Sequence, residues 1–309
     1  MIDPTIVLSV FLGVVGLFSA WIAGARLLKN SPAGLTVVNY RGRSVPAIGG
    51  IVLIAALGIA FACMVLAGPL PPKAFSPDLR RSLSAWPEVT LVVFLTAAGF
   101  FALGLIDDLS GGGGAKGLRG HLKALARRQV TGGIVKLAGG LALAFAASAG
   151  LESDLLPAIV DAVVVAGTAN LFNLLDVRPG RACKFFLLGW TPLAVVSIMA
   201  TGASAGAGRA GSGYLVSSSA IVGAVMAWLP GDLGESAILG DSGSNTIGAI
   251  LGMGLVLLLS LPARLGAVAV ILTLSLFSEV YSFSAGIQRI GPLRWLDGLG
   301  RVDRPPSRV

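Results

Sequence analysis

The chain is poor in the residues on which soluble enzymes rely. Only 12% of its 309 residues are charged, about half the roughly 25% typical of soluble globular domains, which argues against a surface solvated on all sides. It has two cysteines, Cys63 inside one apolar run and Cys183 at the start of another. Two thiols so placed make neither a disulfide framework nor a metal cluster, and both read as packing residues. A single histidine, His121, leaves a multi-histidine metal site or a histidine-dependent triad little support. The 43 glycines follow no collagen-type period. They make up about twice the usual ~7% share and sit within apolar runs, where small residues let helices approach closely in lipid. The start, Met1-Ile2-Asp3-Pro4, lacks the positive region of a cleaved signal peptide, so the first apolar run is expected to be retained.

What is present is hydrophobic sequence, 55% of the chain, enough to exclude intrinsic disorder. Apolar runs of about twenty residues, the length that crosses ~30 Å of hydrocarbon as a helix, lie near 5–28, 47–68, 88–106, 132–150, 155–175, 183–203, 213–230, 239–260 and 264–284. They show no period-2 alternation, which favours helices over a membrane barrel. The expected fold is therefore all-α, a polytopic integral membrane helix bundle of about nine transmembrane helices. It is expected to form one membrane-embedded domain over 1–309, with 29–46, 107–131, 176–184, 231–240 and 285–309 as the candidate functional loops. The net charge of +8 comes from basic residues scattered between apolar segments, a pattern unlike a nucleic-acid-binding face. Most of the 23 lysines and arginines fall in alternate connections. By the positive-inside rule the N-terminus lies outside and the C-terminus in the cytoplasm.

With that orientation, Asp107, Asp108, Asp176 and Asp241 all fall at cytoplasmic ends of spans. An ion-coupled secondary transporter, the reading from another class, would hold its carboxylates nearer the bilayer midplane. Asp107 and Asp108 are adjacent and repel one another unless a cation intervenes. Mg²⁺ is a natural partner, since it is held by one or two carboxylates plus substrate phosphates; the plainer reading is a helix that ends in water. In Asn170-Leu-Phe-Asn173-Leu-Leu-Asp176 polar residues recur every three positions, forming a stripe on one helix side. Their amides and carboxylate suit a base edge or a sugar hydroxyl, or hydrogen bonds between helices. Gly240-Asp241-Ser242-Gly243-Ser244 opens a helix with small residues, an end that attracts phosphate. Asp161 and Glu279 fall within spans and are candidates by that position alone.

The ordered set Asp107-Asp108, Lys116-Gly117-Leu118 with Lys123, Asn170-x-x-Asn173-x-x-Asp176 and Gly240-Asp241-x-Gly243-Ser244 resembles the polyprenyl-phosphate N-acetylhexosamine-1-phosphate transferases. That family includes the phospho-MurNAc-pentapeptide translocase and the GlcNAc-1-phosphate transferases. Arg41-Gly-Arg43-Ser-Val-Pro46-Ala-Ile-Gly49-Gly50 is similar to its cytoplasmic Pro/Gly-Gly segment, so the motifs run from about 40 to 248 in family order. The resemblance implies Mg²⁺-dependent transfer, with Mn²⁺ as a substitute, of a sugar 1-phosphate from a UDP-sugar to a polyprenyl phosphate, releasing UMP. It implies a plasma-membrane enzyme of cell-envelope polymer synthesis and, as a partner, a second copy of the chain. Carried over by motif, Asp107 assists attack by the lipid phosphate, as a base or in a covalent route, and Asp108 supports the metal site. Asp241, with Asp107, ligates the metal; Asn173 and Asp176 line the nucleotide pocket with Asn170 in support; Lys116 and Lys123 engage phosphates. Three features depart from the family pattern. Pro179 stands where a second acid is usual, in Asp176-Val-Arg-Pro-Gly180. Phe283 to Leu299 carries Gln288, Arg289 and Arg294 in place of a histidine-rich loop, and no tenth span follows the ninth. A relative that binds lipid phosphate or nucleotide without transfer is the competing reading.

Overall fold

The structure, a computed structural model, describes residues 3–32, 34–67, 87–110, 132–152, 154–201 and 205–302. Helix α1 (Pro4–Lys29) starts where the Asp3 carboxylate accepts the Thr5 N–H at 2.7 Å and closes with Arg26 and Lys29 in its last turn, charges that suit a helix C-terminus. Two three-residue strands follow, β1 (Thr36–Val38) and β2 (Ser44–Pro46), paired antiparallel with Val37 opposite Val45. Then come α2 (Gly49–Ala67), α3 (Pro87–Leu109), α4 (Gly132–Ala149), α5 (Leu155–Leu175), α6 (Arg181–Ala200), α7 (Ala205–Leu233), α8 (Gly240–Leu258) and α9 (Leu261–Val280). Two short helices, α10 (Phe283–Arg289) and α11 (Gly291–Gly298), complete the described chain. The small hairpin was not anticipated from the sequence, where strands this short leave no alternating pattern to read.

Among the described residues eight helices are long and apolar enough to cross a membrane, α1 to α7 and α9. The protein is a multi-pass, all-α membrane protein. The remaining expected span, near 239–260, is α8, and it is of a different kind. Its first seven residues, Gly-Asp-Ser-Gly-Ser-Asn-Thr, are too polar for lipid, and nearly every residue from Ser242 to Val256 is buried. It is the axis of the bundle, packed on α2, α3, α5, α6 and α7.

Glycine makes that axis fit. A Cβ at Gly248 would lie 2.7 Å from Ala169 Cα, and one at Gly252 would lie 2.8 Å from Val165 Cα, so α8 and α5 meet backbone to backbone. Neighbours then supply the hydrogen bonds and van der Waals contact that lipid would not. Buried Val52, Val93, Val164, Phe186, Ile221, Ile247 and Met253 fill the layer around it. By contrast α9 touches chiefly α5, where Gly167 makes room for Ile271. At one end of the bundle the C-termini of α3, α5 and α7 meet the N-termini of α4, α6 and α8.

Candidate active site

The acidic doublet at the end of α3 divides its work. Gly104, one turn earlier, has no side chain to keep α3 off the Asp241–Ser242 backbone. Asp108 therefore reaches the start of α8, where its carboxylate accepts the N–H groups of Asp241 (2.8 Å) and Ser242 (3.0 Å). These are orphan donors of a helix N-terminus, and a carboxylate there is favoured by the helix dipole as well. The glycine-rich opening of α8 thus meets an internal anion where a phosphate was expected. Asp108 positions α8.

Asp107, about 100° further round the helix, turns toward Lys136 in α4, whose Nζ lies 3.1 Å from Asp107 Oδ2 and 2.5 Å from Asp241 Oδ2. Asn173 closes the group. With its amide oriented to satisfy both ends, Nδ2 donates to Asp241 Oδ1 at 2.8 Å and Oδ1 accepts from Lys136 at 2.9 Å. Ser244 donates back to the Gly240 carbonyl at 2.9 Å and fixes the turn that carries Asp241. Side-chain exposures of 20% for Lys136, 34% for Asp107 and 32% for Asp241 leave the cluster open to a ligand.

Beside it lies a cavity of about 300 Å³ walled by Asn39, Tyr40, Asp176, Arg178, Asp232 and Glu235. Asn39 and Tyr40 come from the tip of the β1–β2 hairpin, which Asn39 folds by accepting the N–H groups of Arg41 (2.9 Å) and Arg43 (3.0 Å). The hairpin is tied to the approach to α8 by Ile238 N–H donating to Pro46 (2.9 Å) and Gly50 N–H to Leu239 (3.0 Å). The Arg178 guanidinium stacks on the Tyr40 ring, 4.4 Å from its centroid. Asp176 caps α5 at the cavity wall. Burial, with the carboxylates of Asp232, Asp241 and Asp108 nearby, holds its carboxyl well above the usual range. A carboxyl so placed lends itself to hydrogen bonding with a neutral polar ligand.

Of the residues singled out by sequence, Asp107, Asp108, Asn173 and Asp241 converge within hydrogen-bonding reach and Asp176 lines the adjoining cavity. Asn170 does not join them; it is exposed on α5, one turn before Asn173. Lys116, Lys123 and His121 lie outside the described residues. Asp161 is bonded by both oxygens to Arg264 (2.9 and 2.8 Å), which also holds Glu152, and so braces the opposite end of the bundle. The residue that sequence reading missed is Lys136. Its only signal is a lone charge within an apolar run, which by default marks a functional position.

The segment Asp176–Gly180 turns partly to a different partner. Arg181, 1% exposed, pairs with Asp297 of α11 through Nε (2.7 Å) and Nη2 (3.2 Å), while Lys184 donates to the closing carbonyls of Leu296 (2.8 Å), Asp297 (2.7 Å) and Leu299 (3.1 Å). Arg301 reaches both Asp297 and the Pro179 carbonyl. Arg181, Lys184 and Arg301 thus clamp α10 and α11 against the start of α6 and the Pro179 turn. Burial raises the Asp297 carboxyl, but the Arg181 and Arg301 guanidinia outweigh it and hold the group below the usual carboxylate range.

Among the described residues no three histidine, cysteine or acidic side chains form a closed metal cage. The two carboxylates that share the Lys136 ammonium are a set that fits Mg²⁺, which takes one or two carboxylates and completes its shell with water and phosphate. No protein-family model matches the chain, and no curated protein matches it.

Proposed function

We propose that this membrane protein transfers a sugar 1-phosphate, of the N-acetylhexosamine type, from a UDP-sugar to polyprenyl phosphate and releases UMP. The observation that carries the reading is one cation, Lys136 Nζ, held between Asp107 and Asp241 from separate helices at one end of the bundle, beside a nucleotide-sized cavity. The motif resemblance supplies the reaction class. The concentration of arginine and lysine in the connections at that end favours the cytoplasmic side of the plasma membrane, where a UDP-sugar and a lipid phosphate meet. Envelope-polymer synthesis is the process this chemistry serves.

In this mechanism the nucleoside enters the cavity lined by Asp176, Tyr40 and Arg178, and the diphosphate extends toward Asp107 and Asp241. Asp107 and Asp241 would hold Mg²⁺ there, and the ion would supply positive charge against the diphosphate and the departing UMP. Asn173 orients the Asp241 carboxylate, and Asp108 holds the α8 N-terminus that carries it. Lys136 contributes positive charge where an anionic nucleophile approaches an anionic donor. An oxygen of the lipid phosphate attacks the sugar-bearing phosphorus; its bond to the UMP oxygen breaks, and the electron pair leaves with UMP. Asp107 serves as the base that readies the lipid phosphate, or as the nucleophile of a two-step route. Exchange of labelled UMP into UDP-sugar without lipid distinguishes the two. Lys116 and Lys123 engage phosphates in this scheme, as the resemblance implies.

The test is incubation of the purified protein with a panel of UDP-sugars, polyprenyl phosphate and Mg²⁺, with the lipid product identified by mass. Asp107→Asn and Asp241→Asn are each expected to abolish UMP release while the protein stays folded. Full activity in both variants refutes the assignment, and nucleotide binding with no lipid product from any donor identifies a non-transferring relative.

A further inference from the structure

Glu235 has features that the transfer chemistry leaves unused. It follows α7 and is the one non-glycine among the described residues with a positive φ, 55°, a region that costs a side-chain-bearing residue energy and recurs at functional positions. Its carboxylate is only 3% exposed. Oε1 accepts from Tyr40 Oη at 3.1 Å and forms an ion pair with Arg41, whose Nε lies 2.9 Å away and itself donates to Tyr40 Oη at 2.7 Å. Among the described residues Oε2 is buried with no hydrogen-bond partner. A buried carboxylate oxygen without a donor is expensive, and Oε1 alone already fastens the hairpin tip. The residue nevertheless forms part of the cavity wall that Asp176 and Asp232 also line, an acceptor-rich surface that calls for a donor from the ligand.

The position of Tyr40 says which donor. A planar, donor-rich group, the Arg178 guanidinium, already stacks on its ring. A nucleobase taking that place lies with one edge toward Glu235, because the Tyr40 hydroxyl is itself bonded to that carboxylate. Resting on the nucleotide reading above, we infer that Glu235 Oε2 accepts the ring N–H of the nucleobase and is a specificity-determining residue. It selects a pyrimidine that carries a proton at N3, as uracil does, against one that presents a lone pair there, as cytosine does. A second carboxylate acceptor facing a bare ring nitrogen would leave both unpaired, the strongest form of rejection open to a polar pocket.

The experiment measures equilibrium binding of UMP, CMP and N3-methyl-UMP to the full chain in lipid nanodiscs with Mg²⁺. The wild type is expected to bind UMP at least about tenfold tighter than either of the others. Glu235→Gln, nearly isosteric, turns an N–H donor toward the base. It is expected to bring UMP and CMP within about threefold of one another or to invert their order. A folded Glu235→Gln protein that keeps the wild-type UMP-to-CMP ratio overturns the inference while the nucleotide reading stands. Should the variant fail to fold, N3-methyl-UMP decides on the wild type alone: affinity equal to that of UMP overturns the inference, and a tenfold loss supports it. If the wild type binds no UMP at all, the nucleotide reading fails and the role of Glu235 fails with it.

Discussion

Lys136 stands where the proposed metal would bind, so replacing it with the uncharged, similarly long methionine should tighten divalent-cation binding. The ammonium lies 3.1 Å from Asp107 and 2.5 Å from Asp241. At an effective dielectric constant near 20, unit charges at ~4 Å interact by about 4 kcal/mol. The three side chains are a fifth to a third exposed, and solvent reduces each contact to the order of 1 kcal/mol. Losing this competitor should lower the free energy of metal binding by about 1–2 kcal/mol, a gain of roughly 5- to 30-fold in affinity. Titration of Mn²⁺ followed by the electron paramagnetic resonance of the free ion, without nucleotide or lipid, reads this directly. Lys136→Arg, which keeps the charge, should stay near the wild type. UMP release by Lys136→Met should fall even as the metal binds more tightly, because the same charge supports the phosphates. Unchanged or weaker Mn²⁺ binding in the folded methionine variant would show that the lysine does not occupy the cation position, and the two-carboxylate site would have to be abandoned.

Asp108→Asn keeps one acceptor for the α8 N-terminus but sets its NH₂ against the second N–H. The expected cost is about 1–2 kcal/mol in stability, measured by reversible denaturation, and Mn²⁺ affinity falls with it because Asp108 fixes the turn that carries Asp241; a collapse of metal binding without loss of stability would make Asp108 a ligand. Asp297→Ala leaves Arg181 buried and unpaired, a loss of about 3–5 kcal/mol that hydrogen exchange should register as opening of 283–302. For the same pair, the Asp297 carboxyl is depressed in the folded protein. Its contribution is complete above the unfolded value of about 3.9 and is lost as pH falls through the folded one, so exchange in α10 and α11 should rise on acidification below about pH 4; a flat profile there would contradict the clamp.

The sequence made the bundle legible because lipid imposes a length and an apolar composition on each span. It made the carboxylates legible because Asp107-Asp108, Asn173-x-x-Asp176 and Gly-Asp241 each sit at the end of such a run. Three things were hidden. The distinct character of α8 was masked by its apolar second half, since hydropathy averages a window and cannot tell lipid from a protein enclosure. Lys136 gave no motif, for its partners are 29 and 105 residues away. Tyr40 and Glu235, 195 residues apart, meet only because a hairpin of three-residue strands folds back onto the approach to α8. That contact depends on tertiary docking and leaves no periodic trace.

The division between Asp107 and Asp108 explains why two adjacent acids serve the end of α3 better than one. Consecutive helical residues diverge by about 100°, so a single carboxylate could either hold the α8 backbone or face the cation. The first role is a precondition of the second. Asp241 is the first-turn acid of α8, and its oxygen is placed by whatever fixes that turn. Asp108 bonds the Asp241 N–H itself, which couples the position of one carboxylate of the pair to the helix that bears the other. Gly104, which admits the α8 backbone against α3, is then part of the same device. An alanine there would push the helices apart and should widen the distance between Asp107 and Asp241 without touching either. Metal affinity should fall in Gly104→Ala while nucleotide affinity measured without metal is retained. Loss of both together would mean that the cavity and the carboxylate pair are one unit and not two.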